Sequence, residues 1–287
     1  MGFYRIAGLP VEVFSADREF FLRRMADYAA PAEEPPGLTL STERLPSLQA
    51  PAGESRLYAN GMTVTRLADG RFCCFERTKD GRVPLTLTCH PDYSRVELRL
   101  ADNCRCPQRT PTELEYMFTG DAFRCRLNYL GDGVLHSSAI AYRGQGIAFT
   151  ADSGTGKSTH TGLWRQRFPH EVTVVNDDKP AIRWEGDKPW LYGTPWSGKT
   201  DLNCNMRVPL RAIVCLHRGE KNTMRRLPPV EALFWISKQI ARPFYDGALG
   251  EKIVDFTRRL AEQVPVYELY CTTEPDAVET VRRELFE

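Results

Sequence analysis

Residues 151–159 read Ala-Asp-Ser-Gly-Thr-Gly-Lys-Ser-Thr, an order of glycines, lysine and hydroxyls suited to gripping a polyphosphate. Gly154 and Gly156 let the backbone wrap an anion without Cβ clashes. Asp152, Ser153, Thr155 and Thr159 complete the loop and the first turn after it. Lys157 has the reach to neutralise the outer phosphates, and the Ser158 hydroxyl suits Mg²⁺. Downstream, Val172-Thr173-Val174-Val175-Asn176-Asp177-Asp178 is an apolar run ending in two carboxylates. Beside a metal-bound triphosphate, such a pair divides labour. One carboxylate holds the ion and the other takes a proton from an attacking hydroxyl. His136, in Leu135-His136-Ser137-Ser138, and Lys199, in Gly193-Thr194-Pro195-Trp196-Ser197-Gly198-Lys199-Thr200, are the remaining side chains with chemistry to offer. Lys199 could offset charge on a migrating phosphoryl group, and Trp196 could wall an acceptor. Arg207 is a candidate second cation.

These residues need elements to hold them. Residues 146–150 read as a buried strand, 151–156 as a glycine-bearing turn, and 157–167 as a helix. A helix N-terminus after a strand presents free N–H groups and a positive dipole end to an anion. Ala151 stands where glycine is common, and alanine resists positive φ. Flanking strands are expected over 134–142, 172–176, 181–185, 190–193, 210–217 and 266–271, with helices over 229–241, 252–263 and 275–286. Trp164 and Trp235 read as core residues, and His160 as packed or solvated rather than a nucleotide contact. The first part reads as α+β. A strand is expected over 4–14, helices over 17–28 and 112–130, and antiparallel strands over 37–40, 62–67, 71–77, 83–89 and 95–100. Asp69-Gly70 and Asp80-Gly81 are hairpin turns in that scheme. The expected domains are 1–130, accessory or acceptor-recognising, and 131–287, nucleotide-binding.

The 287 residues carry 42% apolar and 26% charged side chains, with a formal charge of +1. That balance argues against a nucleic-acid or anionic-membrane partner. No apolar run is long enough to span a bilayer and residues 1–6 lack a signal-peptide core, so a cytoplasmic protein is expected. Nine cysteines with no Cys-x-x-Cys pair fit reduced core residues. Cys89-His90, Cys104 and Cys106 match no common zinc spacing and read as unconnected thiols.

With these residues assembled, the second part resembles the HPr kinase and ATP-dependent PEP carboxykinase group of P-loop proteins. The likeness lies in Leu135-His136-Ser137-Ser138-Ala139, Asp152-Ser153-Gly154-Thr155-Gly156-Lys157-Ser158 and Asn176-Asp177-Asp178, and spans residues 130–220. It implies an α/β protein: a P-loop PEP carboxykinase/HPr kinase-like C-terminal domain with a smaller α+β N-terminal domain. It also implies ATP and Mg²⁺ as cofactors. Asp177 would be base and metal ligand, Asp178 would sit beside it on the metal, and His136 would orient or polarise the site. Members of the group assemble as oligomers, which implies a homo-oligomer. The chain has no counterpart of the HPr kinase acceptor-loop signature, nor of the arginine and lysine set that holds oxaloacetate. The expected reaction is therefore γ-phosphoryl transfer to a different hydroxyl, in a protein, peptide or small molecule. The rival readings are a carboxykinase-like or phosphorolysis reaction, and a non-catalytic nucleotide sensor.

Overall fold

The computed structural model describes residues 1–102, 104, 108–241, 243 and 246–287. The protein is mixed α/β, and the chain divides into two compact units, Met1–Leu130 with Pro243–Leu249, and Gly131–Arg242 with Gly250–Glu287. No helix among the described residues is long and apolar enough to cross a membrane.

In the first unit, β1 (Gly2–Ile6) and β2 (Leu9–Phe14) form an antiparallel hairpin. The alternation over 4–14 suggests one strand, but Ala7 and Gly8 take positive φ of 48° and 76° and reverse the chain. α1 (Arg18–Arg24) starts at Asp17, whose carboxylate accepts from the Phe20 N–H. It ends earlier than its apolar spacing suggests, and Tyr28 falls in a separate 3₁₀ turn. β3 (Leu38–Leu45), β4 (Glu54–Leu57), β5 (Met62–Arg66), β6 (Phe72–Glu76), β7 (Leu85–Cys89) and β8 (Arg95–Ala101) complete a sheet of order β1-β2-β3-β8-β7-β6-β5-β4. β4 is unforeseen because all four of its residues are exposed, so it carries no alternation. α2 (Pro111–Tyr129) opens on a capping box between Thr110 and Glu113 and packs Leu114 against Leu98 and Leu100 of β8. Cys73, Cys89 and Cys125 are buried free thiols and Cys74 is buried; Cys106 lies outside the described residues.

The second unit contains β9 (Gly133–Val134), β10 (Ser137–Tyr142), β11 (Gln145–Thr150), α3 (Lys157–Arg167), β12 (Val172–Asn176), β13 (Ala181–Glu185), β14 (Lys188–Tyr192), β15 (Arg207–Arg218), β16 (Thr223–Arg226), α4 (Pro229–Lys238), β17 (Val266–Cys271) and α6 (Asp276–Phe286); α5 (Gly247–Gln263) begins in the first unit and continues here. The sheet runs β12-β10-β11-β15-β14-β13-β9, with β17 also paired to β15 and β16 to β17. β11, β15 and β17 are parallel, so their C-terminal ends share one edge. That edge is where helix N-termini and ligands meet in α/β sheets. One face of the sheet, with Ile147, Phe149, Val214 and Leu269, buries Trp164 of α3 and Val278, Val281 and Leu285 of α6. This apolar layer fixes α3, and with it the loop at its head. Trp235 departs from the expected core role. It lies half-buried at an edge-on contact with the His217 ring, and its neighbour Phe234 is 57% exposed.

Candidate active site

The loop over 151–156 joins β11 to α3, and its shape follows from its glycines. Gly154 (φ 78°) and Gly156 (φ 122°) adopt conformations that side chains disfavour, and a Cβ on Gly154 would have open space around it. Glycine is therefore needed here for backbone freedom rather than for packing. Ala151 costs nothing in this setting, because it is buried and stays out of the positive-φ region. Gly156 is the N-cap of α3 and offers no side-chain acceptor, which leaves the first N–H groups of the helix for a ligand. Lys157 Nζ rests 2.9 Å from the Ala151 carbonyl. Burial lowers its pKa, against the opposing pull of Asp178, Asp152 and Asp177, so those three carboxylates lie within electrostatic reach of the ammonium. Arg218, at the end of β15, donates to the Gly154 carbonyl at 2.8 Å. Beside the loop is a hollow of about 490 Å³ lined by Thr155, Thr159, Leu163, His217, Arg218 and Thr272.

The carboxylate pair is built around Asn176, which is fully buried at the end of β12. Its Oδ1 accepts from the backbone N–H groups of Asp178 (2.8 Å) and Lys179 (2.6 Å). Its Nδ2 donates to the carbonyls of Thr194 (2.7 Å) and Trp196 (3.3 Å). One amide thus locks the turn carrying the two aspartates to the 193–200 loop. Replacing Asn176 with Ala strands several buried groups at once. The expected loss of unfolding free energy is about 3 kcal/mol, read from the urea midpoint at unchanged slope.

Asp177 is 7% exposed. Its Oδ1 accepts from the Ser138 hydroxyl and its Oδ2 from Thr200 Oγ1 at 2.7 Å. Ser138 also meets Thr161 Oγ1 at 2.9 Å, which ties this carboxylate to the second turn of α3. Asp178 faces His136 Nε2 at 3.4 Å and Lys179 Nζ at 3.0 Å. Burial alone would raise its pKa, but the hydrogen bond from His136 and the charge of Lys179 prevail and hold it at about 2. Gly198, at φ 70°, brings its backbone against the Asp178 side chain; a Cβ there would sit 3.0 Å from Asp178 Cβ.

The structure thus brings together the loop residues, Lys157, Asp177, Asp178 and His136. Ser158 is exposed in the first turn of α3. The Ser158 hydroxyl and the two carboxylates are all oxygen donors, the chemistry that suits Mg²⁺ when substrate phosphates and water complete the shell. Lys199 is exposed and makes no hydrogen bond or ion pair among the described residues. Two expectations are corrected. Trp196 is 4% exposed, so it packs inside rather than walling an acceptor. Arg207 is engaged by Glu185 and lies 4.8 Å over the Trp190 ring, which gives it a partner other than a phosphate. Lys179, Ser138, Thr200 and Arg218 were missed. The first three stand beside residues that were singled out, while Arg218 reaches the loop only because β15 pairs with β11.

His160 is packed, as its helical direction suggests. It is 3% exposed and its Nε2 accepts from Trp164 Nε1 at 3.3 Å. Burial pushes its pKa down from 6.5 to about 4. Between these values the unfolded chain binds a proton that the folded chain refuses. Stability should therefore be full above pH 6.5 and fall by about 3 kcal/mol as the pH drops to 4. Denaturant titrations across this range should show that step, and His160→Gln, which keeps an acceptor for Trp164, should remove it.

No family model and no curated protein matches the chain. Among solved structures, the Hpr(Ser) kinase/phosphatase from Coxiella burnetii aligns over 53% of this chain and 94% of its own, at 14% identity and a TM-score of 0.32. A likeness at that level carries no argument about function, so the case rests on the site's own atoms.

Proposed function

We propose that the chain is an ATP- and Mg²⁺-dependent phosphotransferase of the HPr kinase-like kind, moving the γ-phosphoryl group to a hydroxyl. The observation that supports this most is that a helix-heading glycine loop shares one site with two aspartates, Asp177 buried and Asp178 half-buried. Within it, Asp177 accepts a hydrogen bond from the hydroxyl of an exposed residue, Thr200, at 2.7 Å. A nucleotide-binding module needs the loop but has no use for a carboxylate posed on a hydroxyl.

In this reading the N–H groups of the loop and the head of α3 hold the β- and γ-phosphates, and the Lys157 ammonium reaches them by leaving the Ala151 carbonyl. Mg²⁺, held by Ser158 with Asp178 and Asp177, would neutralise charge on the triphosphate. Asp177 aligns the acceptor hydroxyl and takes its proton. Asp178, kept ionised by His136 and Lys179, holds charge on the metal side. Lys199, exposed beside Thr200, is proposed to meet the acceptor or the transferred group once both are bound. The hollow beside the loop is within the size range of small-ligand sites and is assigned to the nucleoside. Residues 1–130 are proposed to recognise the acceptor.

The test is ADP formation by the full chain with Mg²⁺ and ATP, with and without extract from its own source. Extract-dependent, metal-dependent ADP formation is expected. Turnover with oxaloacetate, or of a phosphoprotein with inorganic phosphate, would replace this reading with one of its enzymatic rivals. Tight ATP binding with no turnover under any condition would make the protein a sensor.

A further inference from the structure

The hydroxyl on Asp177 belongs to the chain itself, and its placement is enforced. The loop bearing Thr200 is fastened on both sides. Asn176 holds the Thr194 and Trp196 carbonyls on one side. On the other, the Asp177 N–H donates to the Leu202 carbonyl (3.0 Å) and the Cys204 N–H to the Val175 carbonyl (3.1 Å). Ser197 is buried at 1% exposure and accepts from Asn203 Nδ2 at 2.9 Å. Between these anchors, Gly198 and Asp201 take positive φ of 70° and 54°, folding the intervening residues back over the aspartates. Thr200 itself is exposed. Its hydroxyl has one proton and two acceptors in range, Asp177 Oδ2 at 2.7 Å and the Ser197 carbonyl at 3.4 Å; the carboxylate is nearer and charged. Ser138, the other hydroxyl on Asp177, is fully buried and closed to a phosphoryl group.

We infer that Thr200 occupies the seat of the acceptor hydroxyl, and that it is itself phosphorylated by bound nucleoside triphosphate when no acceptor displaces it. The inference rests on the phosphotransferase reading. Thr200 Oγ1 attacks the γ-phosphorus and forms the new P–O bond. The bond to the β-phosphate oxygen breaks, its electron pair leaves with the nucleoside diphosphate, and the hydroxyl proton passes to Asp177 Oδ2. The product, a phosphothreonine, sets a dianion against Asp177 and Asp178, so the modified chain repels a second triphosphate. Self-modification is therefore self-limiting, at one phosphoryl group per chain.

The experiment incubates the purified full chain with Mg²⁺ and ATP and no acceptor, and follows intact mass and peptide mapping over time. One phosphoryl group on Thr200 is expected, accumulating at a rate independent of chain concentration. Thr200→Val should abolish it. Thr200→Ser, which keeps the hydroxyl, should retain it and shift the modified residue to phosphoserine. Phosphate on another residue, a rate that rises with chain concentration, or an unmodified Thr200 in a preparation that phosphorylates an acceptor from extract would each overturn the inference while leaving the phosphotransferase reading intact. Absence of any ATP binding or consumption would overturn both.

Discussion

Asp177→Asn should slow phosphoryl transfer by on the order of 10²–10⁴-fold, the usual worth of a positioned general base, while Mg²⁺·ATP still binds within a few-fold of its normal affinity. The neutral amide fits the same space. Its oxygen can still accept from Ser138, and Thr200 can turn its proton toward the Ser197 carbonyl 3.4 Å away. What disappears is the acceptor of the hydroxyl proton and one charged donor to Mg²⁺, which Ser158, Asp178 and the phosphates would still hold. Single-turnover transfer measured beside equilibrium nucleotide binding separates the two effects. Transfer at the normal rate in this variant would remove Asp177 from its proposed role.

Lys157→Ala should act on the opposite quantity. Its ammonium is partly desolvated, sits at the head of α3 and is electrostatically coupled to three carboxylates. Without it the β- and γ-phosphates lose the loop cation that is set against Asp152, Asp177 and Asp178. Truncating one partner of a desolvated charge contact costs about 3 kcal/mol, which is on the order of 100-fold in affinity. Calorimetric titration with Mg²⁺·ATP measures this directly. The fold should be indifferent, since among the described residues Lys157 Nζ donates only to the carbonyls of Ala151 and Asp152. An unchanged affinity would mean that the loop does not hold the triphosphate.

The loop and the aspartate pair were legible because their signals are local. Glycine at 154 and 156, lysine at 157 and a polar end to an apolar strand are each read from a few neighbouring residues. Trp164 was legible for the same reason, since one helical face is enough to mark it as core. The misses are long-range. Thr200 meets Asp177 across 23 positions through the anchoring amide of Asn176, and Arg218 meets Gly154 across 64 through parallel pairing of β15 with β11. Neither contact has a periodicity to betray it. The turn between Gly198 and Asp201 is what presents Thr200, the neighbour of Lys199, to Asp177. In the first unit, β4 was invisible because an edge strand exposed on both faces has no apolar alternation. The 4–14 hairpin was misread because its turn uses Ala7 at positive φ, where Asn or Asp is the customary signal.

The central claim is that this site moves a γ-phosphoryl group to a hydroxyl. The most direct measurement follows γ-labelled ATP incubated with Mg²⁺, extract from the protein's own source and either the normal chain or Asp177→Asn. The account predicts label in a covalent hydroxyl ester with the normal chain and labelling on the order of 10²–10⁴-fold slower with the variant. Label that stays in ATP with both chains, or moves equally with both, would contradict it.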